Sequence, residues 1–267
     1  MTLSAILHNH QRDFHPVVRF EPGTDALHPF DFTERNKDLS AEEIADTDSF
    51  AAYINDALKK NSARYGIGGY GEHRTLYARS QHFDQVLAND KVSASATVGS
   101  EVLRMHPAPD QPRLLDDIDV TKEKEGEPRR LHLGIDIWGP AGTPVMAPLN
   151  GVVHSFAFNN NDSDYGATLI LTHNLDGVGF HTLYGHLSLN SLKNLYEGKN
   201  IKKGEVIAEF GMRFENGNWP PHLHFQVIAD MQGWKGDYPG VCRFSERATW
   251  LENSPDPLSS FQTTSGM

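Results

Sequence analysis

The clearest period in the chain lies at His222–Ile228, where His222, His224 and Gln226 alternate with Leu223, Phe225 and Val227. A repeat of two is that of a strand with one face in an apolar core and the other free for chemistry. The same texture fills the second half. Leu131–Ile137, Val152–Phe158, Ala167–His173, Phe180–Leu187 and Val206–Gly211 are short apolar runs, separated by turns rich in Gly, Pro, Asn and Asp. With no competing long helix, only a turn near Leu189–Tyr196, this predicts a mainly β fold, an antiparallel β-sandwich or barrel.

The first half reads differently. Ser40-Ala41-Glu42-Glu43 has the form of a capping box. Behind it Phe50, Ile54 and Leu58 recur every four residues, with Tyr53 and Ala57 on the same face, so an amphipathic helix is expected up to Lys59-Lys60-Asn61. Residues 1–39 have no period and are expected to be irregular structure packed on the rest. The glycine-rich stretch Tyr65–Arg74 suggests a tight turn or a close approach to a ligand. It lacks the Gly-Lys-Ser/Thr of a Walker loop. Residues 107–130, rich in proline and charge, read as a linker or long surface loop. The expected division is an N-terminal helix-containing region (1–125) that covers or supports a site, a β domain (126–232), and a tail (233–267) that packs back, loose after Phe261.

A formal net charge of −11 argues against a general nucleic-acid binder, whose affinity would rest on Lys and Arg. One cysteine, Cys242, excludes an intrachain disulfide framework and a thiolate zinc site of the usual kind. No stretch is apolar enough to span a bilayer, and the first residues carry no signal-peptide pattern. As given, the chain is expected to be cytoplasmic, or periplasmic or secreted if a leader has been removed.

The candidate chemistry lies on the strand-like runs. His222 and His224 sit about 6.5 Å apart along a strand, at roughly 3.3 Å per residue, so one can bind a metal and the other touch what the metal activates. His-x-His also occurs at His8/His10, and His-x-x-x-Asp occurs at both His106/Asp110 and His132/Asp136, so spacing alone decides nothing. Context does: His106/Asp110 lies in a Pro-x-Pro segment, whereas His132 and Asp136 alternate with Leu133 and Ile135. A straight strand would hold these two about 13 Å apart, too far to share an ion, and Gly134 offers the kink that brings them together. Thr182, Tyr184 and His186 alternate out of a third run. Glu72 and Arg74 are candidates to point into the site from the glycine-rich stretch.

In their order along the chain, His132-x-Gly134-x-Asp136, Gly142-Thr143-Pro144-Val145, Tyr184-Gly185-His186-Leu187, Gly204-Glu205 and His222-Leu223-His224-Phe225 resemble the lysostaphin-type (LytM-like) zinc metallopeptidases over about residues 130–228. The resemblance implies a small antiparallel β-sandwich with one Zn2+ per chain. It implies His132, Asp136 and His224 as zinc ligands, and His186 and His222 as the pair that assists the zinc-activated water. Tyr184, Thr182, Trp219, Glu72 and Arg74 are the expected substrate-side residues. The expected partner is a peptide or amide, possibly a stem or bridge peptide of peptidoglycan, cut by a metalloendopeptidase. Segments 66–78 and 215–221 also resemble a bacterial subgroup in which this module sits beside kinase-like and aminotransferase-like domains, which points to a cytoplasmic amide metabolite instead. A catalytically silent adaptor and a phosphocarrier of the same topology are the other readings, the intact His-x-Gly-x-Asp favouring metal over phosphohistidine.

Overall fold

Apolar alternation and glycine placement build the sheet seen in a computed structural model, which describes residues 2–84 and 126–257. The linker expected at 107–130 lies outside the described residues up to 125, as do the His106/Asp110 pair and the chain end after Phe261. Among the described residues there are twelve strands: β1 (Leu27–Phe30), β2 (Tyr65–Gly68), β3 (Leu131–His132), β4 (Ile135–Trp138), β5 (Pro144–Met146), β6 (Gly151–Asn159), β7 (Gly166–Leu175), β8 (Val178–Leu187), β9 (Asn200–Ile201), β10 (Val206–Glu209), β11 (His222–Ile228) and β12 (Val241–Cys242). The α-helices among the described residues are α1 (Leu3–Asn9), α2 (Ala41–Ala45), α3 (Thr47–Lys60) and α4 (Arg247–Asn253). No helix among the described residues is long and apolar enough to cross a membrane.

Eight strands form one mixed sheet in the order β1-β2-β4-β11-β8-β7-β6-β9, and β5 with β10 and β3 with β12 form two small ones. The pairing is antiparallel except between β1 and β2. Residues before the β domain therefore continue its sheet: β2 pairs along β4, with Ile67 opposite Ile137. One face of the sheet packs Ile135, Ile137, Leu169, Leu171, Leu223 and Phe225 against Val145, Ile207 and Phe210. On the other side Phe32, Phe50, Ile54, Trp138 and Trp219 make a second core around α3.

The strands match the expected runs closely, with one informative break. Instead of one strand over 131–137, the chain leaves β3 at Leu133 and enters β4 at Ile135. β3 pairs with β12, while β4 joins the large sheet. The single helix expected behind Ser40 is two: the capping box forms, but Asp46 adopts an extended conformation and caps α3 through the Ser49 N–H at 2.8 Å. Residues 1–39, expected to be irregular, contain α1, which buries Ile6 and Leu7, and strand β1. The glycine-rich stretch begins as a strand rather than a turn.

Phe50 joins α3 to the sheet. It is fully buried, with edge contacts to Phe32 at 5.8 Å and to Trp138 at 5.6 Å. Phe50→Ala is expected to lower stability by about 3–5 kcal/mol, the range for truncating a buried aromatic ring. Chemical denaturation measures it; a change within experimental error would mean that α3 is not part of the same core.

Candidate metal centre

Antiparallel register places the polar side chains. In β11 and β4 His224 stands opposite Asp136 and His222 opposite Trp138. Cross-strand partners share a face, so the two histidines, the aspartate and the tryptophan point to one side while Leu223 and Phe225 point to the core. The polar face is buried throughout: His132, Asp136, His186, His222 and His224 all lie below a tenth exposure. Gly134, at the crossing between β3 and β4, lets the backbone pass directly under His224. A Cβ there would meet the His224 ring and the Phe225 carbonyl, both at 2.7 Å. That crossing brings His132 beside Asp136.

The hydrogen-bond network fixes which ring nitrogens are bare. A carbonyl can only accept, so His132 Nδ1, 2.9 Å from the Gly69 carbonyl, carries hydrogen and leaves Nε2 free. Gln226 donates its amide nitrogen to the Pro239 carbonyl and the Ser254 hydroxyl. Its oxygen therefore faces His224 Nε2 at 3.0 Å, which must donate, leaving Nδ1 free. Three lone pairs then meet. His132 Nε2 lies 2.9 Å from His224 Nδ1 and 3.3 Å from Asp136 Oδ1, and His224 Nδ1 lies 3.1 Å from the same oxygen. With neutral rings no hydrogen lies between them. A tetrahedral zinc with bonds of about 2.0–2.2 Å sets its ligands roughly 3.3–3.6 Å apart, so the triangle fits such an ion with a small expansion. Each ligand's far side is held by a partner, as metal-binding histidines and carboxylates require.

The charges agree. Burial, reinforced by Arg74, pushes His132 down to about 4, which keeps it a neutral donor. Burial alone would raise the Asp136 carboxyl, but His132 and the Arg74 guanidinium hold it well below the usual carboxylate range. Arg74 donates to Asp136 Oδ2 and, through Nε, to Glu72 Oε2 at 2.8 Å. It also donates to the Gly69 carbonyl at 3.1 Å. Glu72 Oε1 accepts the Phe32 N–H at 3.2 Å. Glu72 and Arg74, expected on the substrate side, are thus engaged with Asp136, and leave it only Oδ1 to offer.

His186 and His222 stand beside the triangle with ring centroids 4.1 Å apart. His186 Nδ1 donates to the Asn216 carbonyl at 2.8 Å and His222 Nδ1 to the Pro220 carbonyl at 2.8 Å, so both present a bare Nε2. Burial pushes His222 down to about 4, and burial with the neighbouring His222 holds His186 well below its usual value. His222 also stacks on Trp138, centroids 3.9 Å apart and planes 15° from parallel.

Thr182 and Tyr184 correct the expected alternation of β8. They do not share a face with His186. Thr182 joins His173 and the Tyr184 hydroxyl in the core at 2.7 and 3.0 Å, and Tyr184 packs on Phe225. His186 has φ near +62°, a left-handed residue that breaks the repeat and turns its ring to the other side. The residue that does face the site there is Gly185, opposite His224, where a Cβ would meet the Tyr165 ring at 2.5 Å. Tyr165, absent from the sequence reading, lies 3.4 Å from His224 Nε2 through its hydroxyl. Trp219 lines the cavity over the site, as does Tyr77 from the N-terminal region.

The fold brings His132, Asp136 and His224 together on the β domain as a group that could hold a metal ion. Residues 130–235 match the sequence model of peptidase family M23. The DD-carboxypeptidase/endopeptidase Mpg of Neisseria meningitidis is 39% identical over 98 residues, covering 37% of this chain and 20% of that protein. The L-Ala--D-Glu endopeptidase of Bacillus subtilis is 29% identical over 107 residues, covering 38% and 31%. The lysostaphin catalytic domain of Staphylococcus simulans, 29% identical, aligns over 48% of this chain and 77% of that one with a TM-score of 0.34. The chain thus spans between a fifth and a third of the length of these two peptidases.

His132→Ala, Asp136→Ala and His224→Ala are each expected to abolish stoichiometric zinc binding, measured by elemental mass spectrometry. Arg74→Met, which keeps the bulk and removes the charge, should weaken zinc about 10–100-fold in a chelator competition. Wild-type affinity in Arg74→Met would contradict the support assigned to it.

Proposed function

We propose that the chain is a zinc-dependent hydrolase of amide or peptide bonds, with His132, Asp136 and His224 as ligands and His186 and His222 as the assisting pair. The observation that carries this is the triangle of bare donor atoms with two further bare Nε2 atoms beside it. Zinc held there would lower the pKa of a bound water toward about 7 and polarise a carbonyl oxygen. The chain's own contribution is placement. Backbone carbonyls fix the tautomers of His186 and His222, so each Nε2 can accept a proton from water and, once protonated, donate to an oxygen that gains charge. His222 is the better seat for that proton, because the face of Trp138 lies against its ring and stabilises a cation. The burial of these side chains strengthens each of these interactions.

Relatives named as endopeptidases support a peptide bond as the target, and peptidoglycan stem or bridge peptides are the first substrates to try. Every ligand position and both assisting histidines are present, which favours an enzyme over a silent adaptor. The walls contributed by Tyr77 and Phe83 also favour a second reading, in which the substrate is a small amide rather than a polymer.

His186→Ala and His222→Ala should each retain one zinc per chain and lose about 10²–10⁴-fold in turnover, the usual weight of a positioned acid or base. Rates are to be followed on short peptides with zinc measured in the same samples. Near-normal turnover in both variants would refute the assignment.

A further inference from the structure

Beyond the ligand triangle the same cavity carries charge that amide hydrolysis does not itself use. Asp164 and Asp237 both line it. Each is oriented by local donors: Asp237 Oδ1 accepts its neighbour's Tyr238 N–H at 2.7 Å, and Asp164 accepts the Tyr165 N–H at 2.7 Å and the Asn161 amide at 3.0 Å. Among the described residues neither carboxylate forms an ion pair. Burial and the nearby Asp164 push the Asp237 carboxyl up to about 6 against the opposing pull of Arg129, which lies near both acids without closing an ion pair.

Unpartnered donors face the same space. Arg129 and Trp219 line the cavity, are 6% and 3% exposed, and have no acceptor for Arg129 Nε or Trp219 Nε1. A buried donor left unpaired is costly, and two of them lining the same cavity as two carboxylates that form no ion pair are the complement of a polar ligand, not of a packed wall. The cavity is about 90 Å³, below the ~150 Å³ that takes a benzene ring, so it suits a group of a few heavy atoms. Its remaining walls are largely aromatic, Trp234 and Tyr238 among them, which suits an ammonium group.

We infer that this end of the cavity is a subsite for a primary ammonium group. Asp164 and Asp237 receive the free amine of a short peptide or small amide, while Arg129 and Trp219 take an oxygen of the same molecule. The inference rests on the amide-hydrolase reading for what happens to the rest of the substrate, whose carbonyl would reach the metal centre. It makes the preferred substrate one with a free amino end rather than an internal stretch of polymer.

The test uses the zinc-loaded full chain and two probes, glycylglycinamide and N-acetylglycylglycinamide. Calorimetric titration should show the free amine binding at least about tenfold more tightly, a difference of about 1.4 kcal/mol. Asp237→Asn and Asp164→Asn should each erase that difference with zinc content unchanged. Equal affinities in the wild-type protein, no binding of either probe, or a preference that survives both substitutions would overturn the subsite. Hydrolysis of the same probes separates the two claims. Amine-selective binding without cleavage of any amide would count against the hydrolase reading alone, and cleavage of both probes with equal kcat/KM would count against the subsite alone.

Discussion

Buried lone pairs repel when they face one another, and here three do so with 2.9–3.3 Å between their atoms. Such an arrangement is stable only when something positive lies among the donors or when the surroundings hold them in place. The second condition explains much of the architecture. Gly134 lets one strand pass beneath His224, the Gly69 carbonyl and Gln226 hold two imidazoles by their far nitrogens, and Arg74 holds the spare oxygen of Asp136. Each of these partners is satisfied in turn, which is what a preorganised metal site needs.

Most of that support comes from outside the segment that matches peptidase family M23. Residues 130–235 contain the three donors as well as His186 and His222. Gly69, Glu72, Arg74 and Tyr77 come from before it, and Pro239 and Ser254 from after it. The N-terminal region is bound in by the sheet itself, since β2 pairs with β4, and the Gly71 N–H donates to the His132 carbonyl at 2.9 Å. The same region walls the cavity through Arg74, Leu76 and Tyr77, and Asp164 and Asp237 line it as well.

What could be read from the sequence was whatever follows a local period. The alternation in β11, the capping box at Ser40 and the need for a kink at Gly134 are all one-dimensional signals. His186 of β8 was singled out through its motif and does line the cavity, but its neighbours Thr182 and Tyr184 were placed on the wrong face. Nothing local announces that His186 adopts φ near +62° and so breaks the repeat. Backbone acceptors such as the Gly69 and Asn216 carbonyls carry no side-chain signature. The partner of Arg74 depends on a contact across 62 positions. The acidic end of the cavity joins Asp164 and Asp237 from distant turns, and each alone looks like an ordinary loop residue.

The central claim is that His132 Nε2, Asp136 Oδ1 and His224 Nδ1 close around one zinc ion while Arg74 keeps the other aspartate oxygen. Crystals grown with zinc, with diffraction data recorded on both sides of its absorption edge, test it directly. The account predicts a single strong anomalous peak about 2.0–2.2 Å from those three atoms, with the guanidinium still on Oδ2. A peak elsewhere, or His224 rotated to bind through Nε2 with Gln226 left unpaired, would contradict it.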